Sequence, residues 1–125
     1  MLSTKDAMAT VAVKDLAKAK RFYGDKLGLS QVGKALPGVV SYRSGAATIV
    51  IYESEFAGTN KATAATWVVG DEFDSIVRTL KNAGIVFEHY DLPGLERTGD
   101  IHVAGDFKAA WFKDPDGNIL HINSM

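Results

Sequence analysis

The 125-residue sequence contains no cysteine. That excludes a disulfide framework, a thiol nucleophile and a thiolate metal site, and it fits a reducing compartment such as the cytoplasm. Neither sign of charge is in excess. Fourteen Lys and Arg stand against fifteen Asp and Glu for a formal net charge of −1, with no block of like charges, so the electrostatic footprint of a nucleic-acid binder is missing. Lys18, Lys20, Arg21 and Lys26 do cluster, but at helical spacing they form a solvated helix face. No apolar run approaches transmembrane length, and the start MLSTKDAMATVAV lacks the basic segment and long apolar stretch of an export signal. The expectation is a soluble cytoplasmic protein without membrane or nucleic-acid partners. No Ser-His-Asp order, phosphate-binding Gly-rich loop or dinucleotide fingerprint occurs, so the nucleophile and nucleotide classes have no support.

What is present suits one compact domain over residues 1–125, with 46% hydrophobic and 23% charged residues. The chain is organised around FKAAWFKDPDGNILHI, residues 107–122. Two apolar runs flank Asp114-Pro115-Asp116-Gly117, a tetrad with the chemistry of a tight turn: Asp to bond its own backbone, Pro to preset φ, Gly to accept positive φ. The spacing predicts a hairpin. Strand alternation puts His121 opposite Leu120 and Ile122, which read as core.

Upstream, the apolar pattern changes period repeatedly. Residues 7–13 alternate as a strand. Asp15 then caps a helix over 16–26, whose stripe is Leu16, Ala19, Phe22, Tyr23 and Leu27, with Gly28 as its stop. Strands follow over 30–34, 39–43 and 47–53, broken at Pro37-Gly38 and Ser44-Gly45. After a linker over about 54–63 the order begins again. A strand over 64–69 leads to a helix started by Asp71 or Asp74, striped by Phe73, Ile76, Val77 and Leu80 and ended by Gly84. A strand over 86–90 and the hairpin complete the series. Val13, Asp15, Gly28 and Leu29 recur at one fixed offset as Val69, Asp71, Gly84 and Ile85, so the chain reads as a duplication. Unit one covers about 7–53 and unit two about 64–123. The second copy carries an extra loop over 91–106, of the kind that covers a site. The fold class is α+β: two tandem β-α-β-β-β units with curved mixed sheets enclosing a cavity.

The runs VKDLAKAKRFYGDKLGL, WVVGDEFDSIV and FKDPDGNILHI together resemble the vicinal oxygen chelate superfamily, which includes glyoxalase I, bleomycin-resistance proteins, extradiol dioxygenases and fosfomycin-resistance enzymes. The resemblance spans residues 7–123. It implies a small organic ligand, aromatic or amphipathic, and a symmetric homodimer whose units close within a chain or swap across it. In metal-using members, four side chains from the first and last strands of the two units meet at a divalent ion. The equivalent positions here are Met8, Val50, Ala64 and His121. Three of the four lack a donor, so no metal and no other cofactor is expected; a divalent metal would require different ligand positions.

Alternation from those positions assigns Met8, Thr10, Ala12, Thr48, Val50, Tyr52, Ala64, Thr66, Ile119, His121 and Asn123 to the cavity face, with Trp111 added and Tyr42 as a further candidate. The candidate ligand-binding set is His121, Tyr52, Trp111, Thr10, Thr48, Thr66 and Asn123, a lining suited to stacking with one or two hydrogen bonds. His102 sits with Asp100 and Asp106 in the long loop. It is either part of an acid/base cluster or simply solvated, while in the 86–90 strand either His89 or the pair Glu88 and Tyr90 faces the cavity. The function expected first is metal-independent ligand binding of the bleomycin-resistance kind. The alternative is a glyoxalase-like or dioxygenase-like enzyme acting on a small carbonyl or aromatic substrate, with His121 or His102 as general base or His121 as a residual metal ligand.

Overall fold

The computed structural model describes residues 1–125, apart from the side chain of Ala35. The chain forms two compact units, Met1–Asn60 and Lys61–Met125, each built on a curved mixed sheet.

In the first unit, β1 (Ala9–Val13) leads into α1 (Leu16–Lys20), a single wide π turn (Arg21–Lys26), and then β2 (Ser30–Leu36), β3 (Val39–Ser44) and β4 (Ala47–Glu53). The Asp15 side chain accepts the Lys18 N–H at 3.1 Å and so caps α1. The expected helix over 16–26 is continuous but changes pitch. Leu27 donates to Phe22 O at 2.9 Å, a bond one residue longer than the α pattern. The wide turn includes Gly24, whose missing side chain leaves the Tyr42 ring close by. Gly28, at φ 73°, then ends the helix.

The sheet order is β1-β4-β3-β2, with β1 parallel to β4. Alternate residues Val11, Val13, Val40, Tyr42, Ile49 and Ile51 are buried with Ala19, Phe22 and Tyr23 of the helix. Tyr42 is therefore a core residue, 2% exposed, its ring 6.4 Å from that of Tyr23; the expectation that it lines a ligand site is corrected. Its partner in register is Ile49, a core position, so parity excludes it from the other face. Met8 precedes the strand and is 56% exposed.

The second unit runs β5 (Thr63–Val68), a 3₁₀ turn (Gly70–Glu72), α2 (Phe73–Asn82), β6 (Phe87–Glu88), β7 (Glu96–Thr98), β8 (Ile101–Ala104), β9 (Phe107–Lys113) and β10 (Ile119–Asn123). Neither Asp71 nor Asp74 caps α2 through its side chain. Asp71 lies inside the 3₁₀ turn, and the Asp74 carboxylate instead holds Lys108 Nζ at 2.9 and 3.1 Å. The sheet order is β5-β10-β9-β8-β7, with β10 parallel to β5. In both units, then, the first strand lies parallel to the last, which is the duplication seen in three dimensions.

Within the segment 91–106, expected as a loop laid over a site, residues 96–104 are instead a hairpin built into the sheet. β7 pairs with β8, and β8 pairs with the 107–109 half of β9, while β6 pairs with the 111–112 half of the same edge. One edge of β9 is thus satisfied by two short strands in series. Glycines in the left-handed region, Gly99 at φ 62° and Gly105 at φ 60°, make the two reversals that short hairpins need. The hairpin tip is also tied down: Asp100 pairs with Lys81 of α2 at 2.6 Å and with His89 at 2.7 Å.

The 114–117 turn forms as its residues predict. Asp114 Oδ1 accepts the backbone N–H groups of Asp116 and Asn118, each at 2.9 Å, and Oδ2 accepts Asn118 Nδ2 at 2.8 Å. Gly117 takes φ 88°. Among the described residues no helix is long and apolar enough to cross a membrane.

Candidate functional site

The unit-two sheet has two faces of different character. Phe87, Ala110, Phe112, Leu120 and Ile122 share one face and are buried with Phe73, Val77 and Leu80 of α2. Strand pairing puts Glu88, His102, Ala109, Trp111, Thr66, His121 and Asn123 on the other. Here the imidazole of His121 stacks on the indole of Trp111, its directly paired neighbour on β9, with ring centres 4.3 Å apart and planes 22° from parallel. His102 meets the same indole at 4.9 Å and 87°, and Tyr90 meets it at 5.7 Å and 79°. Three rings therefore gather around Trp111 on one sheet face.

The hydrogen bonds fix the state of His121. Met125 N–H donates to Asn123 Oδ1 at 3.1 Å, which turns the amide nitrogen of Asn123 toward His121 Nε2, 3.3 Å away. Nε2 is then an acceptor, and Nδ1 carries the proton that goes to Ala110 O at 3.1 Å. This is a neutral imidazole. Burial lowers its pKa below the ordinary 6.5, opposed by the Ala110 hydrogen bond and assisted to a smaller extent by the neighbouring His102.

His102 is the larger departure from expectation. Rather than being solvated with Asp100 and Asp106 in a loop, it lies on β8 and is 1% exposed. Asp100 is occupied by Lys81 and His89, so the acid/base cluster does not form. His102 Nε2 is 3.0 Å from Tyr90 N and 3.1 Å from Tyr90 O. Its Nδ1 is buried without a partner, as is Tyr90 Oη. Burial, with a smaller contribution from Glu88, raises the Tyr90 pKa, so the phenol keeps its proton. The parity left open at 86–90 also resolves. Glu88 pairs with Trp111 and Tyr90 packs on it, whereas His89 reaches Asp100. Tyr90 is the residue that sequence reasoning left undecided, and only the register of β6 against β9 decides it.

Of the other expected lining residues, Thr66 pairs with His121, and Asn123 is buried beside it. Thr10, Thr48 and Tyr52 belong to unit one. Their register partners Val50, Arg43 and Ala12 place them on the face opposite that unit's core, with Thr10 and Tyr52 exposed and Thr48 and Val50 half-buried.

Of the positions that the resemblance equates with metal ligands, Met8 offers a thioether, Val50 and Ala64 alkyl side chains, and His121 an imidazole with both nitrogens engaged. That set does not fit a divalent ion. Among the described residues, no three His, Asp or Glu side chains gather where they could share one.

The family model for the glyoxalase/bleomycin resistance protein/dioxygenase superfamily matches residues 7–122. The chain belongs to that superfamily. Solved structures of this superfamily's fold superpose closely. A fosfomycin resistance protein, FosX, from Mesorhizobium loti is 14% identical, with a TM-score of 0.70 over 100% of this chain and 94% of that one. The glyoxalase family protein from Enterococcus faecalis is 18% identical, with a TM-score of 0.72 over 98% and 99%. Lactoylglutathione lyase from Agrobacterium tumefaciens is 17% identical, with a TM-score of 0.69 over 96% and 92%. At such identities the superfamily likeness concerns the fold. Comparison with curated protein sequences finds no significant match.

Proposed function

We propose that this superfamily member is a metal-independent small-molecule-binding protein of the bleomycin-resistance kind, holding a planar or amphipathic organic ligand on the aromatic face of unit two. The observation that carries this reading is the His121–Trp111 stack. An imidazole held neutral, with one nitrogen on a backbone carbonyl and the other on an amide, is a flat uncharged ring suited to stacking. The alkyl and thioether groups of Met8, Val50 and Ala64 leave a single imidazole, too few donors to support binding of an ion. A second reading has one observation in its favour: a neutral imidazole whose pKa is lowered can take a proton, so His121 could act as general base on a bound carbonyl compound.

The test uses the intrinsic fluorescence of Trp67 and Trp111 in a screen of aromatic natural products and oxo-acids. At least one compound is expected to quench saturably. Replacing His121 with Phe keeps a flat ring and removes both nitrogens, so the affinity for that compound is expected to fall roughly tenfold, the worth of about one hydrogen bond. Because Ala110 O and the Asn123 amide lose their partner, the variant is also expected to melt a few degrees lower. A variant that binds as well as wild type would make His121 a core residue only.

A further inference from the structure

Two buried polar atoms of unit two have no partner: His102 Nδ1 and Tyr90 Oη. Such atoms are rare in native proteins and unfavourable when left so. Their rings lie 6.3 Å apart, both against Trp111. The proton on His102 can be placed. If Nε2 donated to Tyr90 O, the Tyr90 N–H would lose the acceptor 3.0 Å away, and orphaned amide N–H groups are scarcer than under-used carbonyls. Nε2 therefore accepts, and Nδ1–H is the unmatched group. Both unmatched groups are then donors, the imidazole N–H and the phenolic O–H.

Resting on the binding reading above, we propose that Tyr90 Oη and His102 Nδ1 are the polar end of the site and take the carbonyl oxygen of a flat, conjugated ketone or quinone whose ring packs against Trp111. A carbonyl oxygen has two lone pairs and no proton, which matches two donors better than an alcohol or an amine does. Water does not reach either atom in the free protein, so the Tyr90 side chain must turn to admit the oxygen while its backbone keeps its contacts with His102. Tyr90 lies two residues beyond the two-residue β6, outside any strand, where such a shift disturbs no ladder. The unmatched donors are thus a feature of the free state that ligand removes.

Calorimetric titration with 2-acetonaphthone and with 2-ethylnaphthalene, which has the same ring and nearly the same size without the carbonyl, tests this. Wild type is expected to bind the ketone at least tenfold more tightly than the hydrocarbon. Tyr90→Phe, which keeps the ring and removes only the oxygen, is expected to lose most of that preference while melting at the same temperature as wild type or higher. Equal binding of the two probes by wild type, or an unchanged preference in Tyr90→Phe, overturns the polar end and leaves the binding reading standing. A Tyr90→Phe variant that melts several degrees lower with its preference intact overturns it too, because the hydroxyl is then structural. If neither probe binds while the fluorescence screen yields another ligand, the ligand class is wrong; if the screen also yields nothing, both proposals fall.

Discussion

At the scale of the residue, His121 shows how a strand position becomes chemically specific. Alternation alone puts it on the face away from Leu120 and Ile122. What alternation cannot supply is its protonation state, which depends on Met125 N–H orienting the Asn123 amide and on Ala110 O taking the Nδ1 proton. With its pKa below 6.5 in the folded chain and near 6.5 in the unfolded one, the unfolded state binds more protons in the interval between them. Its contribution to stability is therefore fully present above about pH 6.5 and is lost as the pH falls toward the folded value. Urea melts of wild type at pH 7.5 and 5.5 are expected to show a drop that is smaller in His121→Phe. An identical drop in both proteins would assign the loss to other groups.

At the scale of the element, the strands and helices that alternate cleanly were legible: β3, β4, β9, β10 and the stripe of α2 follow from period and punctuation. The Asp114 turn was legible as well, because its chemistry is local. Asp114→Ala removes the acceptor of the buried Asn118 N–H, of the part-buried Asp116 N–H and of the Asn118 side-chain amide, and is expected to cost about 2–4 kcal/mol. Thermal melts check this, and a loss under about 0.5 kcal/mol would mean that the turn holds without its carboxylate. The β7–β8 hairpin was not legible. Glu96-Arg97-Thr98 has no apolar residue, and Ile101 to Ala104 is too short for a period, so pairing with β9 rather than propensity makes them strands. With the hairpin went the place of His102, whose burial depends on that non-local pairing, and the parity of Tyr90.

At the scale of the whole molecule, the repeat at a fixed sequence offset reappears as two sheets in which the first strand is parallel to the last. Each sheet, taken by itself, ends in two edge strands, β1 and β2 in one unit and β5 and β7 in the other. Edges of this kind are commonly covered by a second copy. Sedimentation at micromolar concentration is accordingly expected to show a homodimer, and a single 13.5 kDa species would contradict that. The central claim, however, is that ligand is held by rings and hydrogen bonds without an ion. Its most direct test is calorimetric titration of a ligand from the fluorescence screen into protein before and after exhaustive dialysis against chelator, with elemental analysis of both samples. The account predicts substoichiometric Zn, Ni, Mn and Fe and the same affinity in both samples. One tightly held transition metal per chain, or affinity lost on chelation and restored by adding metal back, would contradict it.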